Sequence, residues 1–240
     1  MSDVRYGRFE LSDTTLNLGG VRVSVIRDGR VVRYVREGGG VVERVIVPSS
    51  RSYIVVNPVE PTNLPKPVSD FILIEFSRPL LIAPESSITA YTTFPVEVGV
   101  FLVDVKDSNV IDVFSLVRQK YTLYGTPRSG VICRYWASGV STEVPTPNPL
   151  MEGVLKLRIL NSSGNWVTVS NVVLSVDGMS IYYDHEHVSS AAQLNIISPS
   201  LAETSALEEP LNEGMGRSIT IRSQRRAPMI KGKFVMEWGL

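Results

Sequence analysis

Apolar and polar residues alternate with a period of two through most of this chain. From Val21 the run VRVSVIRD alternates, and VVRYVRE returns from Val31. Asp28-Gly29 lies between them. Asp-Gly between two alternating runs is a strong hairpin signal, because such turns need positive φ. Three glycines at 38–40 allow a second reversal into VVERVIV. The same period marks DFILIEF, SITAYTTF, VEVGVFLVDV, KYTLYG, GVICRYWAS, GVLKLRIL, WVTVSNVVLSV and MSIYY, then SITIRS and KFVMEW. Turn signals interrupt the runs at intervals of about ten residues, the spacing of a sandwich or barrel. The pattern predicts an all-β protein, an antiparallel β-sandwich with at most one or two short helices.

Two stretches depart from that period. DSNVIDVFSLVRQ places Val110, Val113, Phe114 and Val117 at helical spacing, with Asp107 or Ser108 as N-cap. SLAETSALEE, near 200–209, offers a second helical turn. The proline-rich PVEPTNLPKP at 58–67 cannot be a central strand, because proline removes ladder donors. It divides the sequence into a small N-terminal β unit, 1–57, and a larger sandwich, 58–240. The two form a single domain if they share a sheet. VPTPNP at 144–149 is a second proline-rich loop.

Composition supports strands: valine is the commonest residue, with 34 copies. At 240 residues, 43% hydrophobic and 20% charged, the chain can bury a core without staples. The formal net charge is zero, so no global field draws it to nucleic acid or membrane. The zero conceals bands. Residues 117–136 carry four basic groups and no acid, whereas 137–216 carry two basic and nine acidic. A single cysteine, Cys133, excludes an internal disulfide. The N-terminal residues contain no apolar signal core, and no apolar run approaches the ~20 residues of a membrane span. A cytoplasmic location is the expectation. Arginine outnumbers lysine 18 to 6, a weak sign of a thermophile or of a GC-rich genome. Asn161 opens an Asn-Ser-Ser glycosylation match that means little without secretion.

Few residues suggest chemistry. YYDHEH, 182–187, holds both histidines. On a regular strand His185 and His187 would share a face and could chelate zinc with a carboxylate such as Asp184. The simpler reading is a polar strand end meeting water. RQKYTLYGTPRSGVICRYW, 118–136, interleaves cations with aromatics around a Gly/Pro turn. Lys120, Tyr121, Tyr124, Arg128 and Arg134 are therefore the candidate ligand-binding residues, suited to a phosphate or carboxylate. The competing view is a sheet with aromatics in its core and solvated arginines. Cys133 reads as a packed thiol. The basic RSITIRSQRRAPMIKGK either takes an acidic partner or pairs with ETSALEEPLNE just before it. No nucleophile elbow, phosphate loop or dinucleotide fingerprint is present.

NPVEPTNLPKPVSDFILIEF, FPVEVGVFL, KYTLYGTPRSGVICRYW, GVLKLRILN and MSIYYDHEH occur in this order. Together they resemble an archaeal family of unknown function, over residues from about 5 to 195. The resemblance implies an archaeal source and no activity. It also implies acids, rather than a histidine pair, around the two tyrosines. The sequence is best read as a non-enzymatic β-sandwich binding module for a protein partner or a small anionic ligand. Nucleic acid and membrane are not expected partners, and no cofactor is expected. Two alternatives remain: a zinc-dependent hydrolase using His185 and His187, and a structural protein that forms homo-oligomers through exposed strand edges.

Overall fold

A computed structural model describes residues 6–64, 68–105, 107–221 and 233–240. Among them are twenty strands and one 3-10 turn at Val176–Gly178. The strands form four sheets that stack as two sandwiches.

In the first sandwich, β2 (Thr14–Leu18), β3 (Val21–Asp28), β4 (Val31–Glu37) and β5 (Val42–Ile46) form an antiparallel meander. It packs on a sheet ordered β1 (Gly7–Phe9), β6 (Tyr53–Val59), β9 (Glu97–Val103), β10 (Ser108–Phe114). Val23, Val25, Val32 and Tyr34 of the meander meet Ile54, Val56, Val98, Val100 and Phe114. The predicted β3–β4 hairpin forms one residue later than Asp28-Gly29. Asp28 pairs with Val31, and Gly29 alone takes positive φ, at 59°. Glycine at the first central position suits a hairpin turn of the II′ kind, so Arg30 needs no left-handed backbone.

The second sandwich pairs two larger sheets. One is ordered β11 (Tyr121–Tyr124), β12 (Val131–Ser138), β7 (Phe71–Ile82), β15 (Val167–Ser175). The other runs β13 (Val140–Ser141), β8 (Ser86–Pro95), β14 (Glu152–Asn161), β17 (Val188–Ser198), β16 (Tyr182–Tyr183), β19 (Gly216–Arg217). In addition β18 (Leu201–Leu207) pairs with β17, and β20 (Phe234–Met236) with β18. Ladders are antiparallel except β7–β12 and β14–β17. Ile72, Ile74, Phe94, Leu155, Leu157 and Val172 fill the space between the sheets.

Both stretches that suggested helix are strands. Residues 108–114 form β10, and a bulge between Val110 and Asp112 inserts one extra residue. The bulge lets Val110 and Val113, three apart, pack against the same cluster of Val59, Phe101 and Ile221. Helical spacing was therefore a bulged strand's spacing. The second stretch is β18, held on both edges by β17 and β20, and pairing on two sides overrides the weak strand preference of Ala and Glu. SITIRS is not a ladder strand within the described residues. Residues 218–221 instead lie across the first sandwich's inner sheet, where Ile219 and Ile221 contact its far face. Both faces of β9 are thus covered, and its sequence is a nearly unbroken apolar run. A Cβ at Gly99 would lie 2.6 Å from the Phe101 ring, so this crowded position accepts only glycine.

The sandwiches are not consecutive in sequence. β6 hydrogen-bonds to β9, so residues on either side of the proline-rich stretch share one sheet. Pro58 itself lies in β6, opposite Val98. The chain builds β1–β6 in the first sandwich and β7–β8 in the second. It returns for β9–β10, then completes the second.

Candidate functional site

The cation-rich segment 118–136 forms the β11–β12 hairpin, at one edge of its sheet. The structure does not gather its five candidate residues. Lys120 and Arg128 are exposed and lie beyond opposite ends of β11, separated by at least the ~13 Å that four strand residues span. Tyr124 is buried. Its hydroxyl donates to the Gly239 carbonyl (2.9 Å) and accepts from the Trp238 peptide N–H (3.1 Å), so it anchors the C-terminal residues. Burial raises its pKa.

Arg134 and Tyr121 are brought together, directly opposite one another in the hairpin, but around an internal partner. Arg134 is 1% exposed and points to the junction of the two sandwiches. Its Nη1 donates to Glu97 Oε1 at 2.5 Å and to the Pro61 carbonyl. The second Glu97 oxygen accepts from the Asn63 peptide N–H at 3.0 Å. The Tyr121 hydroxyl donates to the Leu64 carbonyl. Burial pushes the Glu97 carboxyl up to about 7 and lowers Arg134, while their mutual attraction opposes both shifts. The Arg134 guanidinium is thus committed to a carboxylate from β9 and a carbonyl of the 60–64 loop. Glu97 is the one acid in the apolar run FPVEVGVFLV, and that isolation was the sequence signal for it.

DHEH is a hairpin turn and not a strand, so the alternation argument for His185 and His187 does not apply to it. It links β16 to β17. The Asp184 carboxylate accepts from the peptide N–H groups of Glu186 (2.8 Å) and His187 (2.7 Å). The Asp184 N–H bonds to the His187 carbonyl at 3.0 Å. Asp184 is thereby occupied in closing the turn. His185 is exposed, while Nδ1 of His187 is buried without a hydrogen-bond partner. Among the described residues, no three His, Cys, Asp or Glu side chains group as metal ligands would.

A recess lies where the two sheets of the second sandwich meet at one side. The chain leaves β12 through Gly139 into β13, crossing from one sheet to the other. An open groove of about 390 Å³ runs along this corner, lined by Tyr91, Thr93, Trp136, Ser138, Ser141 and Glu152 among others. The Trp136 Nε1–H donates to Thr93 Oγ1 at 3.2 Å. The Ser138 hydroxyl lies 2.9 Å from the same oxygen and accepts from the Thr93 N–H at 2.9 Å. The indole is therefore held by its polar edge. The Tyr91 hydroxyl and the Glu152 carboxylate have no hydrogen-bond partner among the described residues. Among the described residues no lysine or arginine lines the groove. Trp136 lay within the predicted aromatic segment; Tyr91 and Glu152 had no sequence signal, because only folding places β8 beside β12.

The remaining candidates are structural. Cys133 is fully buried, and burial pushes its thiol up to about 12. Asn161 is buried, and its amide donates to Ala83 and Asn165 carbonyls at 2.9 and 2.8 Å, leaving it no freedom as a glycan acceptor. Of the basic C-terminal segment, Arg222, Arg225, Arg226 and Lys231 lie outside the described residues. Its two described ends both pair with the acidic stretch: Arg217 with Glu208 (3.1 Å) and Lys233 with Glu203 (2.9 Å).

Fold and groove define an all-β protein of two interleaved sandwiches with an aromatic-lined recess on the second. Among the described residues no helix is long and apolar enough to cross a membrane. The chain belongs to the family described as "Protein of unknown function (DUF432)", whose model matches residues 5–237. No curated protein and no solved structure matches it.

Proposed function

We propose that this protein is a non-enzymatic binding module whose ligand occupies the groove beside β8 and β13. The observation that carries this reading is the groove itself. Its volume falls within the ~300–1,000 Å³ of ordinary ligand sites, and its aromatic ring is fixed before any ligand arrives. A hydroxyl and a carboxylate stand ready to fix orientation. A small anion gains nothing from this lining, and the cations expected to hold one are dispersed or spent on Glu97. A protein partner would need a continuous surface that the Lys120–Arg128 hairpin does not gather.

Ala137 is exposed and lines the groove, so Ala137→Trp fills it without touching the core. Thermal-shift measurements against sugars, polyols, amines, nucleotides and organic acids test the reading. Compounds that raise the wild-type melting temperature are expected to lose their effect in A137W and keep it in the K120A/R128A double variant. Hits that survive A137W and vanish in K120A/R128A would return the site to the hairpin.

A further inference from the structure

We propose that the groove binds a neutral oligosaccharide, a short run of pyranose rings lying along β8. This rests on the binding-module reading and adds the ligand class. Four features of the recess lead to it.

The first is the state of Trp136. Its only hydrogen-bond donor is satisfied by Thr93, so what the indole has left to offer a ligand is hydrocarbon surface. A pyranose presents an apolar face of C–H groups and a polar rim of hydroxyls, and such a face suits an aromatic ring. The second is the pair of uncommitted polar groups. The Tyr91 hydroxyl can donate and accept, and the Glu152 carboxylate only accepts. Hydroxyl groups on a ligand can meet both demands, and a bond to an ionised carboxylate is among the stronger ones.

The third feature is shape. Tyr91 pairs with Ser141 on one side of β8, whereas Glu152 lies opposite Pro95, four residues further along the strand. That separates the two ends by ~13 Å at strand rise. A compact aromatic cage for a quaternary amine needs its rings and acid around one point, and this spacing does not supply that. The fourth is charge. Among the described residues the lining carries one carboxylate and no cation, and Lys156, opposite Tyr91, is paired with Glu209, so phosphorylated or uronic sugars are disfavoured and uncharged ones are not.

Calorimetric titration with cellotriose, maltotriose, mannotriose and chitotriose tests the proposal, with spermidine as the competing cationic probe. Tryptophan emission provides a second readout in a Trp166→Phe/Trp238→Phe background, which leaves Trp136 as sole reporter. At least one trisaccharide is expected to bind saturably and alter Trp136 emission. Trp136→Ala and Tyr91→Ala should each weaken it about tenfold. Glu152→Gln should weaken it several-fold, and K120A/R128A should leave it unchanged. Tyr91 is half-exposed on the sheet surface, so Y91A keeps the test valid if W136A fails to fold.

No binding by any of the four trisaccharides at ~10 mM, a dissociation constant weaker than about −3 kcal/mol of standard affinity, overturns the glycan assignment. Spermidine binding that depends on Trp136 and Glu152 also overturns it, yet leaves the groove as a ligand site. Saccharide binding indifferent to both Y91A and W136A overturns the groove as the site, and with it the placement of the ligand argued above.

Discussion

Two arginines are buried among the described residues, and each meets a carboxylate at 2.5 Å, but they sit in different settings. Arg36, on β4, is inside the first sandwich. Its Nε donates to Asp112 Oδ2, and its Nη1 donates to the Gly38 carbonyl at 2.8 Å. Asp112 also accepts from the Tyr34 hydroxyl and the Val113 N–H, both at 2.9 Å. The Arg36 guanidinium lies 5.3 Å from the centre of the Phe114 ring. Arg134 has a shorter list of partners and more complete burial. Its Nη2 is buried with no hydrogen-bond partner. The first arrangement is a well-satisfied network within one sandwich. The second spends a charge on fixing the position of one sandwich against the other. Partners matter more than distance here: equal contact lengths conceal unequal compensation for lost hydration.

That contrast is open to measurement. Arg134→Met leaves Glu97 buried without its cation and should cost about 3–5 kcal/mol of unfolding free energy in urea titrations. Arg36→Met should cost less, about 2–3 kcal/mol, because Asp112 keeps two other donors. Equal losses would erase the distinction. The R134M/E97L pair should recover most of what R134M loses, since removing both charges removes both desolvation penalties.

The pH dependence sharpens it further. The Glu97 carboxyl, with an ordinary value of 4.5, stands at about 7 in the folded protein because burial disfavours its charge. Between those values the folded state retains a proton that the unfolded chain has lost. Stability is therefore highest on the acid side and falls as pH rises through that window. Glu97→Gln should flatten this slope, and a slope that persists would assign it to another group. Tyr34→Phe removes one donor from Asp112 and should cost about 1 kcal/mol. The smallest effect belongs to K120A/R128A, two exposed cations, expected within about 0.5 kcal/mol of wild type.

The alternation of valines made the strand content readable, and the Gly/Pro signals placed most turns within a residue or two. What escaped was anything that depends on strand order. Val110 and Val113 imitated a helix because a bulge adds one residue between them. Tyr121, Tyr124 and Arg134 read as ligand-binding residues in the sequence, yet their partners are Leu64, Gly239 and Glu97, tens of residues away along the chain. Glu97 carried a legible mark, a single acid amid valines. Glu152 carried none, because a half-exposed acid at a strand start is ordinary until the fold lays an aromatic corner beside it.

The interleaving of the strands has a bearing on how such a chain is made. Synthesis releases β1 to β6 first, and their natural neighbour β9 (Glu97–Val103) waits until β7 and β8 have appeared. By then β7 and β8 are also outside the ribosome, deprived of β12, β14 and β15. The first sandwich cannot close until β9 and β10 emerge, nor the second until β14 and β15 do, so a nascent chain must hold exposed edges through much of its elongation. Cutting the gene at the proline stretch would leave the first fragment without half of its inner sheet, and strands β9 and β10 on the second, instead of giving two working modules.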